Sequence, residues 1–182
     1  MFDKVIIFLV VFFAALLQMS AFSNVLFLGV SPNLLLILVI FWTVHEGFEE
    51  ALPKILFAGF MLDLFSFYPV GVNILTFTLI AFLVNSFSKR FLVAARNWRK
   101  IILVFLIMTS TVIFELVLFL LFKLSVYFKV FQMSNVIFSI NRGVIAKEIL
   151  INMLFFFLVG FPLMRIGQFL NLRKSRKNLN YV

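Results

Sequence analysis

The chain alternates long apolar runs with short polar breaks, and the breaks are too short to form a soluble domain. A helix that crosses the hydrocarbon core of a bilayer needs about 20 mostly apolar residues. Six runs meet this requirement or come close to it, which predicts an all-α integral membrane protein with a bundle of six transmembrane helices. The predicted helices are residues 5–23, 33–45, 51–66, 71–88, 101–122 and 144–165.

Two of these runs leave an alternative open. The second and third are short, and only the polar segment HEGFEE separates them. They would span the membrane with flanking residues or in a locally thin bilayer, or they would form a re-entrant pair. The later helices keep their orientation in both cases, because losing both crossings changes the count by two. The first run is long enough to span and is predicted to be a retained helix rather than a cleaved signal.

The positions of Lys and Arg predict the orientation. If the side that holds the N-terminus is called inner, 12 basic residues fall on the inner side and 4 on the outer side. Cytoplasmic loops carry an excess of Lys and Arg. Both termini are therefore predicted to be cytoplasmic, and residues 1–182 are predicted to form a single transmembrane domain that ends in a basic cytoplasmic tail, 166–182.

Composition agrees with a membrane protein and narrows the chemistry. The chain is 64% hydrophobic and 13% charged, whereas soluble domains are about 45–50% apolar and about 25% charged. It has no Cys and a single His, His45, which excludes Cys-based sites and His clusters. The net charge of +9 comes from basic residues at membrane edges, so we expect contact with lipid and none with nucleic acid. No catalytic motif is present, and no catalytic residue, cofactor or metal is predicted.

Ionisable and amide side chains occur inside several predicted helices. With the predicted topology they all fall in the outer half of the bilayer. Such groups are costly when they face lipid, and they normally point into the bundle or a wet cavity. These residues are Gln18, Asp63, Glu115, Glu148 and Asn152.

Asp63 stands out among these residues because its surroundings in the sequence, FAGFMLDLF, are so apolar. Gly59 lies one helical turn before it on the same face, where a residue without a side chain lets another helix approach closely. We expect Asp63 to hold the outer half of the bundle together through Gln18, Lys147 or Asn152, with Lys147 as a possible counter-ion of Asp63 or Glu115. On this interpretation Asp63→Asn is mild and Asp63→Leu is worse.

The intramembrane polar residues have three possible roles. Packing between helices is the most common, contact with a partner's membrane helix is the second, and a small-molecule or proton pathway is the third. A proton pathway should cross the membrane, but the predicted inner halves contain almost no ionisable residue except Lys54, which is predicted to snorkel. The outer segment 125–142 is too apolar for a free loop, and we expect it to lie on the membrane or against a partner.

Four stretches, in their order and spacing, resemble the MreD family of rod shape-determining proteins. They are SPNLLLILVIF, AGFMLDLFSFYPVGVNIL, FEL at 114–116 and LINMLFFFLVGFPLMRI. In the second stretch, Gly59, Phe60, Asp63 and Gly71 occupy the positions of the family's central signature. The candidate residues for bundle packing or a partner interface are Gly59, Phe60, Asp63, Tyr68, Pro69, Gly71, Glu115, Glu148, Asn152 and Pro162.

The resemblance implies a non-enzymatic component of the bacterial cytoplasmic (inner) membrane that belongs to the machinery for cell elongation and peptidoglycan synthesis. It implies MreC, a single-pass protein with a large extracytoplasmic part, as a partner. RodA, an elongation transpeptidase and MreB are further possible partners.

The alternative is the substrate-binding membrane component of a vitamin importer of the energy-coupling-factor type, which is also a six-helix protein of this size. That class commonly has an Ala-x-x-x-Ala surface on its first helix. The alanines here, Ala14, Ala15 and Ala21, do not have that spacing. The predicted layer of polar residues is compatible with both functions.

Overall fold

The computed structural model describes residues 2–21, 30–66, 69–94, 99–127 and 142–160. Six α-helices follow the six apolar runs in order, and the described part of the chain is an all-helical bundle. The helices are α1 (Phe2–Leu16), α2 (Leu34–Glu46), α3 (Phe48–Phe65), α4 (Val72–Ala94), α5 (Arg99–Tyr127) and α6 (Arg142–Phe155). α1 and α6 each continue into one turn of π-helix, at Leu17–Ala21 and Phe156–Gly160.

Helix boundaries differ from the predicted ones by a few residues. α3 begins at Phe48 rather than at 51, and α5 continues to Tyr127 rather than ending at 122. Most of the predicted outer segment 125–142 and the whole basic tail 166–182 lie outside the described residues.

The shortest apolar run forms the centre of the bundle. α2 has 13 residues, of which nine are buried, and it contacts the other five helices. A helix that is apolar on all sides is buried either in a protein core or in a bilayer, and here the other helices surround it. A single residue, Gly47, connects α2 to α3, and its φ of 86° lies in the left-handed region that glycine adopts at little cost.

Among the described residues, two helices are long and apolar enough to cross a bilayer. They are Val72–Arg90 within α4 and Ile101–Leu121 within α5, while the apolar parts of α1 and α2 are shorter. Large apolar side chains also cover the outside of the bundle, including Phe13, Phe105 and Leu150, which are 58%, 63% and 62% exposed. Lipid is the solvent that such a surface requires, so the fold is that of a membrane protein.

The α2–α3 connection contains the ion pair described for this chain. The ammonium group of Lys54 on α3 contacts the carboxylate of Glu46 at the end of α2. The same ammonium lies 5.8 Å from the ring centroid of Trp42. Glu46 therefore balances the charge of Lys54 within the protein. The predicted snorkelling of Lys54 to the membrane edge is not needed to neutralise this charge.

Candidate functional site

The carboxylate of Asp63 holds the start of α4. Asp63 lies in the last turn of α3 and is only 2% exposed. Its Oδ1 accepts hydrogen bonds from the backbone N–H and the side-chain amide of Asn73, each at 2.9 Å. Its Oδ2 accepts from the N–H of Gly71 at 2.8 Å and from that of Ile74 at 3.4 Å.

This arrangement explains why an aspartate occurs in so apolar a run. The first N–H groups of an α-helix have no partner within the helix, and a helix start carries a partial positive charge that favours an anion. In a bilayer, water cannot satisfy these N–H groups. The Asp63 carboxylate satisfies them from the preceding helix and fastens α3 to α4.

Gly59 makes this contact possible. It lies one turn before Asp63 on the same buried face of α3. A Cβ atom built on Gly59 would lie 2.5 Å from the Cα of Ile74 and 2.8 Å from its nitrogen. Any side chain would therefore push α4 away from Asp63, and the predicted close approach at Gly59 is confirmed.

The segment between α3 and α4 also contributes to the contact. Ser66 ends α3 with extended backbone angles, and its hydroxyl oxygen accepts a hydrogen bond from the Asn73 amide at 3.3 Å. The carbonyl of Pro69 accepts from the N–H of Val72 at 3.2 Å. Gly71 has a φ of 105°, which lets the chain turn directly into α4.

The predicted partners of Asp63 were wrong. Its carboxylate binds neither Gln18, Lys147 nor Asn152, because the start of α4, only 8 to 11 residues further along the chain, occupies both oxygens. Lys147 is exposed, and among the described residues it pairs with no carboxylate. Its predicted role as a counter-ion of Asp63 or Glu115 was therefore also wrong.

A second helix start is capped in the same way, but by amides. The side chain of Asn33 accepts from the N–H of Leu36 at 3.0 Å, and Gln18 Oε1 accepts from the N–H of Leu35 at 3.2 Å. The N–H of Asn33 donates to Asn152 Oδ1 at 2.7 Å. Side chains from α6 and from the π-helical turn after α1 thus meet at the start of the central helix α2.

Polar pairs also connect α5 and α6. The Asn152 amide donates to the Thr111 hydroxyl at 3.1 Å. One turn away, the carboxyl groups of Glu115 and Glu148 are close enough to share a hydrogen bond. Thr111 and Glu115 lie four residues apart on α5, and Glu148 and Asn152 lie four residues apart on α6. Because the two helices are antiparallel, residues with this spacing face each other in two pairs.

The other predicted residues are placed as follows. Phe60 is 40% exposed and points away from the buried face that carries Gly59 and Asp63. Pro69 is half-buried in the connection before α4. Tyr68 and Pro162 lie outside the described residues.

Sequence reasoning missed three participants, Asn33, Asn73 and Thr111. The first two could have been found, because an Asn in or just before the first turn of a helix is a standard capping residue. Thr111 was missed because the sequence does not indicate which residue of another helix faces its hydroxyl.

These contacts show what the polar side chains do. Within the described part of the chain, no buried side-chain nitrogen or oxygen lacks a hydrogen-bond partner, and no group of three potential metal ligands is found there. Six of the buried polar side chains fasten two helix starts and one helix pair, namely those of Gln18, Asn33, Asp63, Asn73, Thr111 and Asn152.

The comparisons with known proteins identify the family. The chain matches the family model of the rod shape-determining protein MreD over residues 1–166. The searches of curated proteins and of solved structures found no match. The match covers nearly the whole chain and includes all the described helices, and it confirms the resemblance seen in the sequence. Members of this family take part in rod shape determination as structural membrane components. The chain therefore belongs to the MreD family of rod shape-determining proteins.

Proposed function

We propose that this protein is a non-enzymatic scaffold of the cytoplasmic membrane that binds MreC and helps to organise peptidoglycan synthesis during cell elongation. Family membership supports the proposal, since MreD is part of the MreBCD shape-determining system. RodA, the elongation transpeptidase and MreB are further partners in this scheme, through contacts that are direct or made through MreC.

The observation that carries the proposal is the internal use of the polar groups. Asp63 accepts four hydrogen bonds from the start of α4, and Asn152 joins α6 to both α2 and α5. Groups that are committed to packing do not turn over a substrate, but they keep a small bundle in one shape. A bundle of fixed shape with an apolar exterior is suited to binding another membrane protein.

The partner surface is proposed to lie toward the outer side of the membrane. It comprises α3, the segment FYPVG at 67–71 and the segment 125–142. Val70 and Tyr127, at the edges of this region, are 70% and 81% exposed. Photo-crosslinkers at Phe67, Tyr68 and Tyr127 in native membranes test this surface, and we expect them to capture MreC.

Affinity purification from native membranes in a mild detergent tests the function as a whole. We expect MreC to co-purify in stoichiometric amount, and depletion of the protein to make rod-shaped cells round. An untagged chain expressed at the same level is the control for non-specific recovery. Recovery of the membrane subunit of an ATP-driven importer, or of a bound vitamin, in place of MreC would contradict the proposal.

A further inference from the structure

The apolar parts of the helices differ in length. On α1 the apolar part is Ile6–Met19, and on α3 the large exposed apolar residues run from Leu56 to Phe65. The apolar parts of α4 and α5 are Val72–Arg90 and Ile101–Leu121. At 1.5 Å per residue, the first two measure about 15–21 Å and the last two about 30 Å, which is the thickness of a hydrocarbon core. Of these four helices, only α4 and α5 match a bilayer of ordinary thickness.

Charged side chains mark one end of the short helices. The α2–α3 turn, residues 46–50, contains Glu46, Glu49 and Glu50, and all three are exposed. Lys54 pairs with Glu46, while Glu49 and Glu50 begin α3 as exposed carboxylates. A carboxylate that faces hydrocarbon is costly. The α2–α3 turn therefore requires water or lipid headgroups around it.

Two contacts between α3 and α4 give the level of this turn along the bundle. The Cα of Ile74 lies 2.5 Å from a Cβ atom built on Gly59, and the ring centroids of Phe48 and Phe82 are 5.9 Å apart. The two helices run in opposite directions. Counting along both from these contacts places the first turn of α3 level with about residues 80–85 of α4. α4 continues past that level for about 14–21 Å at 1.5 Å per residue.

The continuation of α4 is still apolar on its surface. Phe87 is 51% exposed, and the exposed cations Lys89 and Arg90 follow it. Lys89 lies about 6–13 Å past the level of the α2–α3 turn at 1.5 Å per residue. The apolar surface of α4 therefore ends well beyond the point at which the surface of α3 becomes charged.

α5 presents the same apolar surface at this level. The rings of Phe77 on α4 and Phe114 on α5 are stacked, with centroids 5.6 Å apart. Because these two helices are antiparallel, this contact places Ile101 level with Arg90. Ile101 and Phe105 are 60% and 63% exposed. Both residues lie beyond the level of the α2–α3 turn, and both need an apolar surrounding.

α1 ends together with α3 rather than with α4. The ring centroids of Phe8 on α1 and Phe57 on α3 are 5.1 Å apart. The two helices run in the same direction, so Phe2, where α1 begins, is level with Ala51 of α3. The bundle thus has a short side, formed by α1 and α3, and a long side, formed by α4 and α5.

A flat bilayer cannot suit both sides. If hydrocarbon covers Phe87, Ile101 and Phe105, it also immerses Glu49 and Glu50. A bilayer adapts to a short apolar surface by thinning, at a modest cost, whereas the immersion of two carboxylates costs more. We propose that the protein thins the bilayer on its α1–α3 side, so that phospholipid headgroups reach the α2–α3 turn about 10 Å deeper than they lie beside α4 and α5. This thinning requires neither MreC nor the predicted orientation.

Thiol reactivity tests the two levels, because the chain contains no Cys. Glu50→Cys places a single thiol at the α2–α3 turn, and Phe87→Cys and Phe105→Cys place one on the long side. All three residues are exposed, so the core is unchanged, and thermal unfolding checks this. The purified full chain is reconstituted in dioleoylphosphatidylcholine vesicles, with a charged maleimide present on both sides of the membrane. We expect Glu50→Cys to react at least fivefold faster than the other two variants. In a flat bilayer the order would be reversed, because Phe87 and Phe105 lie closer to that end of the bundle.

Fluorescence quenching by lipids tests whether headgroups are what surrounds the turn. Each thiol is labelled with a small fluorophore, and the vesicles contain phosphatidylcholine with a spin label either on the headgroup or in the middle of an acyl chain. We expect the label at residue 50 to be quenched more by the headgroup spin label. The labels at residues 87 and 105 should be quenched more by the acyl-chain spin label.

Three results would overturn the proposal. Stronger acyl-chain quenching at residue 50 would mean that the turn lies in hydrocarbon. Fast maleimide reaction at residues 87 and 105 would mean that the ends of α4 and α5 project out of the membrane. Protection of residue 50 from both the maleimide and the lipid quenchers would mean that protein, and not a thinned bilayer, covers the turn. None of these results bears on whether MreC co-purifies, so the proposed function is tested separately.

Discussion

Replacing Asp63 by Leu removes the acceptor for four hydrogen bonds at the start of α4, three of them at 2.8–2.9 Å. Hydrogen bonds between membrane helices contribute about 0.6–1.7 kcal/mol each. The loss of three well-formed bonds should therefore lower the free energy of unfolding by about 2–5 kcal/mol. Insertion into the membrane should continue, because the apolar runs are unchanged.

Asp63→Asn should have an intermediate effect. The sequence alone predicted that this change is mild, but both carboxylate oxygens accept hydrogen bonds. In the amide one oxygen is replaced by an NH₂ group, which donates and cannot accept. One pair of donors would then face another donor, so we expect Asn to cost about half as much as Leu, roughly 1–2 kcal/mol.

The measurement is reversible unfolding in mixed detergent micelles, followed by far-ultraviolet circular dichroism. Glu50→Gln is the matched control, because it removes a charge from an exposed carboxylate and should change stability by less than about 0.5 kcal/mol. A double-mutant cycle with Asn73→Ala should show coupling of about 0.5–1.5 kcal/mol, since the two side chains share a hydrogen bond. If Asp63→Leu unfolds within about 0.5 kcal/mol of the unmodified protein, the capping role is refuted.

Three further predictions concern packing and topology. Gly59→Ala should destabilise the bundle by about 1–3 kcal/mol in the same unfolding assay, because the new methyl group would collide with the backbone of Ile74; unchanged stability would mean that the helices are not in contact there. Asn152→Leu should cost about 1–3 kcal/mol, because it breaks the links to α2 and α5, and a melting temperature equal to that of the unmodified chain would contradict this. Reporter domains fused after Lys100 and after Val182 should both report the cytoplasm, and an external C-terminus would rule out the predicted orientation.

The sequence predicted the order of the helices well, for a simple physical reason. Apolar runs long enough for a bilayer can only be helices or barrel strands, and runs of this length and continuity favour helices. The i, i+4 spacing of Gly59 and Asp63 also placed them on one face, and the structure has both on the buried face of α3.

The partner of Asp63 could not be predicted from the same information. Depth estimates placed the polar residues of several helices at similar levels in the bilayer. Residues far from Asp63 in the sequence were therefore as plausible partners as residues close to it. The choice depends on how the chain turns between Ser66 and Gly71, and Gly71 has a φ of 105°. Such backbone angles depend on how the turn folds, and the hydropathy pattern does not predict them. The π-helical turn that contains Gln18 and the one that follows α6 could not be predicted for the same reason.

The two capped helix starts differ greatly in the length of chain that must be synthesised before they can form. The Asp63 contacts join residues that are 8 to 11 positions apart, whereas the bond between Asn33 and Asn152 spans 119 positions. Local contacts form early and distant ones late, because closing a long loop costs more entropy. The α3–α4 hairpin can therefore be complete as soon as α4 leaves the ribosome. At the start of α2, the contacts from Gln18 and Asn33 can also form early, whereas the N–H of Asn33 has to wait for Asn152 on α6. Until then the N–H of Asn33, just before the central helix, lacks its partner, and the order of translation sets the order in which these contacts close.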